Sequence, residues 1–287
     1  MKKVGTIKEI WRYPVKGMAG EKINSCFMDA FGLRGDHLFA VRDTDRKEIQ
    51  SCKFRPNLLQ CIASYTNAND ALSDKSFTIR FPDGTALASD SEEMNDKISA
   101  LLGHASTLES LRPANETEFY KRYKKDDYTW LDELKATFVR EPGEPLPDFT
   151  DLPQDFIDYV TQLGTFFLVS PFHIITTASI AHLKNLQPNA DWDIRRFRPN
   201  IVIEPVDGEL GLQEQDWIGK QLKVGGISID CSSPAPRCGA VTRQQQGLDA
   251  DKSMLRTIIK EADQNLGIYG DISHGGNIQV GDDVYLA

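Results

Sequence analysis

The chain has 287 residues, 40% of them hydrophobic and 26% charged, with a net charge of −9. That length is enough for one or two domains with real cores, and the composition is ordinary for a soluble globular protein. The acidic balance argues against broad nucleic-acid binding, which needs a basic face, and leaves room for a local basic pocket that takes a small anion.

The sequence contains no run of about 18 apolar residues, so no membrane span is expected. The basic start, Met1-Lys2-Lys3, is followed by no apolar stretch, so no signal peptide is expected and the cytoplasm is the default location. Residues 4–11 alternate, Val4, Thr6, Lys8 and Ile10 against Gly5, Ile7, Glu9 and Trp11. This predicts a strand, although neither face is cleanly apolar. It ends at Tyr13-Pro14, where proline removes a ladder donor, and Lys16-Gly17 follows in a turn. Further strands are predicted over 23–30 and 37–42, divided by the tight turn Gly32-Leu33-Arg34-Gly35-Asp36. After a polar tip at Asp43-Thr44-Asp45-Arg46-Lys47 the β pattern resumes over 48–52 and 58–67, then gives way to a polar loop around Asp70. Phe77-Thr78-Ile79-Arg80-Phe81 with Pro82-Asp83-Gly84 reads as a strand and its turn. The first clear helix follows Asp90: Met94, Ile98, Leu101 and Leu102 form one apolar stripe, Asp90 or Ser91 stands where a cap belongs, and Gly103 ends it. Many short strands before a single helix predict a β-barrel-like unit with a helical plug.

Residues 112–128 are polar and highly charged and read as a solvated loop or helix face. The stretch Glu141-Pro142-Gly143-Glu144-Pro145-Leu146-Pro147-Asp148 is irregular and is either a linker or a lid. Phe156, Tyr159, Val160 and Leu163 fit a short amphipathic helix after Pro153. Strands are expected over 165–169, 172–177, 201–203, 221–224, 227–229 and 241–242, and a helix over 177–186 opened by Thr177 or Ser179. Leu255, Ile258, Ile259 and Ala262 make the stripe of a helix over 253–266 stopped by Gly267, and residues 278–286 read as a closing hairpin around Gly281-Asp282-Asp283.

The chemistry concentrates in Asp230-Cys231-Ser232-Ser233-Pro234-Ala235-Pro236-Arg237-Cys238-Gly239, a loop by composition that places an arginine directly before a cysteine. A thiolate needs positive or hydrogen-bonding surroundings, so Cys238 is the candidate for a reactive or metal-binding cysteine; the competing assignment is a small buried hydrophobe. The five cysteines, Cys26, Cys52, Cys61, Cys231 and Cys238, are odd in number and scattered, unlike a secreted disulfide framework, and no Cys/His cluster has zinc spacing. A regulatory bridge between Cys231 and Cys238 is one alternative. His274 lies in a glycine-rich loop without the context of a phosphate-binding fingerprint or a catalytic triad.

Taken with Trp11-Arg12-Tyr13-Pro14-Val15-Lys16-Gly17 and Arg195-Arg196-Phe197-Arg198-Pro199-Asn200-Ile201-Val202-Ile203, this loop resembles the MOSC proteins, named for the C-terminal domain of molybdenum-cofactor sulfurases. The likeness is greatest to members with an N-terminal β-barrel region, such as the mitochondrial amidoxime-reducing component and its bacterial relatives. It runs from about residue 4 to the C-terminus, with three motifs in the family's order. The resemblance implies a mainly β fold with peripheral helices (α+β). Two β-rich units are expected, residues 1–110 as a MOSC N-terminal β-barrel-like domain and 111–287 as the MOSC barrel, with the first strands packing beside the C-terminal barrel. A molybdenum cofactor is expected in the cleft between them; pyridoxal phosphate is not expected.

By resemblance Cys238 is the metal ligand and catalytic cysteine, a soft ligand suited to molybdenum. Lys16, Arg198, Asn200 and Arg237 are the cofactor-binding candidates, since the cofactor carries a phosphate and a polar pterin. Each taken alone reads equally as a solvated surface cation or a turn residue. Thr176 and Ser179 fall in a segment that lines the family's pocket, or else serve strand packing and helix capping. His37, also a cofactor-binding candidate by resemblance, stands where the family's Gly-Leu-Arg-Gly-Asp-Arg turn has arginine, and Lys53 where arginine is frequent, so the basic pocket is softened and a phosphate contact at His37 is either lost or pH-sensitive. The implied activity is reduction of small N-hydroxylated or N-oxide compounds by oxygen-atom transfer. Electrons would come from a separate protein of reductase, ferredoxin or cytochrome type, because the sequence shows no iron–sulfur spacing. The alternative is a non-catalytic cofactor carrier, or a sulfur carrier that uses Cys238.

Overall fold

The computed structural model describes residues 1–66, 76–124, 130–206, 208 and 210–287. The expectations for Asn67, the loop around Asp70 and the charged residues Lys125, Asp126 and Asp127 fall outside them. The strands of the first half are β1 (Lys2–Arg12), β2 (Glu21–Ile23), β3 (Ser25–Asp29), β4 (Gly32–Leu33), β5 (Phe39–Asp43), β6 (Glu48–Ile49), β7 (Ile62–Tyr65), β8 (Phe77–Arg80), β9 (Ala86–Ala88) and β10 (Ser106–Ser110). Those of the second half are β11 (His173–Thr176), β12 (Ile201–Pro205), β13 (Gln221–Val224), β14 (Ile227–Pro236), β15 (Asn265–His274), β16 (Gly276–Gln279) and β17 (Asp283–Leu286). The helices are α1 (Met94–Leu102), α2 (Thr117–Tyr120), α3 (Trp130–Ala136), α4 (Gln154–Asp158), α5 (Thr177–Leu186) and α6 (Ser253–Glu261).

The mainly β class holds, and its centre is a closed barrel. Going round it, β1 pairs with β12, then come β11, β15, β14, β13 and β17, which pairs back onto β1. Only the β11–β12 contact is parallel, and α5 connects those two strands. Strand β1 explains its own ambiguous sequence pattern. Its register against β12 shifts between Ile7 and Glu9, and such a bulge turns the alternation over by one residue. Ile7 and Ile10 therefore both point inward, at 1% and 0% exposure. They meet Ile174, Ile201, Ile203, Leu222, Ile229, Ile268 and Val284 in one apolar cluster. Each such side chain contributes roughly 1.5–3 kcal/mol by leaving water.

Beyond Arg12 the chain leaves the barrel. Val15 bridges to Phe39 and Ala19 to Ile62, entering a second core. Here the small sheets β10-β5-β6 and β7-β8-β9 and helix α1 enclose Val15, Met18, Phe39, Phe77, Phe81, Met94 and Ile98. Helix α1 ends as expected, with Gly103 in the left-handed region at φ 77°. Its first turn lacks the expected side-chain cap: Glu93 holds the cap position, and Ser91 Oγ accepts the Glu93 N–H at 3.3 Å instead.

Several expectations are corrected. Residues 165–169 form no strand; Gly164 turns at φ 72° and the segment closes on itself through Thr161 Oγ1 donating to the Thr165 carbonyl at 2.9 Å. Residues 58–60 belong to a 3₁₀ turn begun by Pro56, and the β pattern starts only at Ile62. The cysteine loop is largely strand, because β14 runs on to Pro236. Register shifts between Cys231 and Ser233, and again between Pro234 and Pro236, let the ladder pass prolines that have no N–H to give. Residues 241–242 belong to a 3₁₀ turn, Gly239–Thr242. Helix α6 stops before Gly267, since Asp263 and Gln264 adopt φ 44° and 61°. Strands β16 and β17 are not a hairpin: β16 pairs with β3 and β17 with β1 and β13.

Barrel closure leaves no room at Gly5, where an added Cβ would stand 2.5 Å from the Glu204 carbonyl oxygen on β12. Gly5→Ala is expected to push β1 off β12 and cost about 2 kcal/mol. For a chain this long that lowers the melting temperature by roughly 4–8 °C, read by calorimetry; an unchanged melting temperature would contradict the close approach.

Candidate functional site

The site grows from the end of β14. Pro236 hands the chain to Arg237 and Cys238, and the Arg237 side chain turns inward, where it is 8% exposed. Its Nε donates to the Leu266 carbonyl at 2.8 Å and its Nη1 to the Phe197 carbonyl at 3.2 Å, while Nη2 reaches the Leu266 carbonyl and His173 Nε2. The Arg237 N–H donates to the Gln264 carbonyl at 2.9 Å. So Arg237 is committed to the frame beneath the cysteine. Burial and the adjacent guanidinium push the His173 pKa well below its ordinary value. A neutral ring with its proton on Nδ1 satisfies both neighbours: Nε2 accepts from Arg237, and Nδ1 donates to the Arg198 carbonyl at 3.4 Å. Gly267 permits this packing, since a Cβ there would lie 2.3 Å from His173 Nε2.

The Arg198 motif supplies the adjoining wall. A short 3₁₀ turn, Ile194–Phe197, ends with Arg198 itself at φ 52°. Its guanidinium lies 4.2 Å above the Tyr13 ring and its Nη1 donates to the Met18 carbonyl. Its Nη2 is buried without a hydrogen-bond partner among the described residues. Asn200 is a stitch: its Oδ1 accepts the His173 N–H at 3.1 Å, and its backbone N–H and carbonyl bond His173 and Trp11. Lys16, on the far wall, is half-buried and donates Nζ to the Phe166 carbonyl at 2.8 Å. Burial lowers its pKa to about 8.

These walls enclose a cavity of about 530 Å³ that takes lining atoms from Lys16, His37, Arg198, Asn200, Arg237 and Cys238. Six of the eight sequence candidates thus converge, from four separate stretches of chain. Lys53 joins them, its ammonium 5.7 Å from the Phe138 ring centre. Thr176 and Ser179 do not. Both are 0% exposed, and their hydroxyls donate to the buried carboxylate of Glu214, while Thr176 also accepts the Ser179 N–H to cap α5. Burial in turn raises the Glu214 pKa. These two residues serve capping and packing.

Two contributors carried no signal of a site in the sequence, and a third was legible only as a linker or lid. Cys52 lines the same cavity, with a thiol pKa raised by burial. Phe167 and Phe166 come from the segment expected to be a strand. The roof comes from residues 134–156, including the proline-rich stretch, with Leu134, Phe138, Phe149 and Phe156 facing the cavity. That stretch is clamped to the cysteine loop: the Thr137 carbonyl accepts the Gly239 N–H at 2.8 Å, and Arg140 Nη2 donates to the Arg237 carbonyl at 3.1 Å. Val139 sits at φ 53°, a strained position for a β-branched residue, with its carbonyl held by Arg256. The cavity therefore has a polar, cationic floor and an aromatic roof. The Arg198 Nη2, unpartnered among the described residues, and the Lys16 ammonium on the Phe166 carbonyl suit an anion with several acceptors.

Burial makes the lysine charge a liability to the protein on its own. Its folded-state pKa is depressed, so the penalty is fully present below about pH 8 and fades as pH rises towards the unfolded value of 10.5. Lys16→Met is expected to stabilise the ligand-free protein at pH 7 by on the order of 1–2 kcal/mol, allowing for partial exposure, and to gain nothing near pH 10.5. Chemical denaturation at the two pH values reads this; an equal effect at both would contradict it.

Comparison with known proteins is consistent across the chain. Residues 4–118 match the MOSC N-terminal beta barrel domain and residues 162–285 the MOSC domain. Mitochondrial amidoxime reducing component 2 of Macaca fascicularis is 24% identical over 304 residues, covering 99% of this chain and 84% of that protein. Molybdenum cofactor sulfurase 2 of Culex quinquefasciatus is 30% identical over 128 residues, 40% of this chain and 16% of that protein. Among solved structures, the YUAD protein of Bacillus subtilis aligns over 99% of this chain and 95% of its own at 9% identity, with a TM-score of 0.41.

Proposed function

Because the chain belongs to the MOSC-domain proteins and carries the MOSC N-terminal beta barrel domain as well, we propose that it is a molybdenum-cofactor-binding oxidoreductase reducing N-hydroxylated or N-oxide compounds. The observation that carries this is the convergence of Cys238 with Lys16, Arg198 and Asn200 on one cavity. The donor set fits the cofactor. Cys238, lining the cavity, offers the soft ligand that a metal arriving with sulfur ligands of its own would need. The unpartnered Arg198 Nη2 and the Lys16 ammonium suit the cofactor's phosphate.

When bound, the cofactor supplies a two-electron centre that accepts an oxygen atom. The chain does the rest. Cys238 would ligate the metal, held in place by the Arg237 frame below and the residue 134–156 roof above. Lys16 and Arg198 would neutralise the anionic part of the cofactor, and Asn200 keeps their two walls in register. The aromatic roof excludes water from the reacting oxygen and packs the apolar body of the substrate. The balance is R–NH–OH + 2 e⁻ + 2 H⁺ → R–NH₂ + H₂O: the N–O bond breaks, and the oxygen leaves as water. A separate electron-donor protein supplies the electrons. The units 1–110 and 111–287 are proposed as the two domains, and the cytoplasm as the location; among the described residues no helix is long and apolar enough to cross a membrane.

The match to a molybdenum cofactor sulfurase favours one other role, a carrier that holds cofactor, or sulfur as a persulfide on Cys238. One experiment separates the two. Protein made in a cofactor-producing host is analysed for molybdenum and pterin and tested with reduced methyl viologen, phenylhydroxylamine and a Cys238→Ala control. The reductase is expected to hold near-stoichiometric metal, and Cys238→Ala to lose at least about 100-fold in turnover. Full metal-dependent turnover in Cys238→Ala would overturn the assignment of Cys238. A persulfide with no turnover would establish the carrier.

A further inference from the structure

His37 occupies an unusual position in this cavity. Its backbone is in the left-handed region at φ 49°, fixed by its N–H donating to the Tyr13 carbonyl at 2.8 Å. The ring is clamped on one side only. Nδ1 lies 2.7 Å from Oδ2 of Asp36, a carboxylate that is itself 3% exposed and also accepts the Tyr13 N–H. One face lies against Phe167, with ring centres 4.8 Å apart. Nε2 has no hydrogen-bond partner among the described residues, and the side chain lines the cavity shared with Cys238.

A buried acceptor-only carboxylate fixes the tautomer. Nδ1 must carry the proton to donate to Asp36, so in the neutral ring Nε2 presents a lone pair. We infer that His37, oriented by Asp36, is a specificity-determining acceptor whose Nε2 accepts a hydrogen bond from the hydroxyl of an N–OH substrate and thereby favours N-hydroxyl compounds over N-oxides, which have no N–OH to donate. This rests on the reductase proposed above. A site with a buried acceptor discriminates against an analogue that leaves the acceptor unpaired, whereas an aromatic wall alone barely distinguishes the two substrates. An arginine at this position would be a donor only and would do the reverse.

The charged and titratable groups around the ring are Asp36 on its own turn, Lys16 on the segment that pairs beside it, Arg198 stacked on Tyr13, and Tyr13 itself at 6.2 Å between ring centres. Burial is the dominant influence and keeps the ring neutral, opposed by Asp36 and reinforced by Arg198 and Lys16. Above its lowered pKa the ring accepts at Nε2; below it Nε2–H donates, and the acceptor is lost.

The test is a ratio within one preparation: kcat/KM for phenylhydroxylamine divided by that for N,N-dimethylaniline N-oxide, with reduced methyl viologen as donor. Differences in cofactor loading between variants cancel in it. The wild type is expected to favour the hydroxylamine by about tenfold or more at pH 8, and to lose that preference as pH falls and the imidazole protonates. His37→Asn, which tolerates the left-handed backbone, should lower the ratio about tenfold and flatten its pH dependence; His37→Arg should favour the N-oxide. Should His37→Asn fail to fold, His37→Arg and the wild-type pH series carry the test. Nitrogen-15 NMR of the cofactor-free protein reads the tautomer without turnover, and a ring protonated on Nε2 overturns the proposal. So does a pH-independent ratio shared by all three proteins. Absence of turnover with both substrates in metal-loaded wild type removes the reductase reading, and this inference with it.

Discussion

The guanidinium of Arg237 is the interaction on which the site depends. A buried cation is expensive unless its donors are satisfied, and here the partners come from three different places in the chain: Phe197 before β12, Leu266 entering β15, and His173 opening β11. The same bonds that stabilise the charge therefore fix the spacing of three barrel elements under Cys238. His173 passes the constraint on, since its backbone N–H is read by Asn200 and its ring faces Arg198. The sequence suggests arginine beside cysteine as an electrostatic helper for a ligand; the structure makes Arg237 a keystone whose donors are taken up by Phe197, Leu266 and His173.

The legible part of the site was the part carried by short motifs. Tyr13 to Lys16, Arg198 to Asn200, and Cys238 are each local in sequence, and each lies at the end of a strand or turn whose place follows from its neighbours. What stayed hidden was set by distant packing. Nothing near Cys52 or Phe167 indicates that they face Cys238, because that depends on how residues 51–54 and 162–169 fold across the cleft. Thr176 and Ser179 look like polar pocket residues until Glu214, far along the chain, is seen to take both hydroxyls. At the level of fold, the alternation of β1 was blurred by its bulge, and β14 was shortened on paper by prolines that bulges accommodate.

The roof segment illustrates how an irregular stretch acquires a definite place. Its composition gives it no regular element beyond α3 and α4, so its order comes from side chains that reach out of it. Arg140 binds the Phe138 and Pro145 carbonyls within the segment and the Arg237 carbonyl outside it, and Glu144 pairs with Arg256 on α6. Gly239 completes the fit, since any side chain there would collide with Val139. Thus the cysteine loop is held from both sides, by a charged frame within the barrel and by a clasp of mixed polar contacts above it.

The first strand carries a consequence for how such a protein changes over evolutionary time. Strand β1 fills the gap between β12 and β17, and its continuation runs straight into the other core at Val15 and Ala19. The barrel is thus discontinuous in sequence: its first stave precedes the small sheets and its last six follow them. An exchange of gene segments that moved residues 162–285 alone would carry away a cylinder missing one stave, with two raw edges of unpaired N–H and C=O groups. Recombination can trade this barrel intact only when the N-terminal strand travels with it, so the two halves are bound to a shared inheritance by topology, independently of any ligand in the cleft.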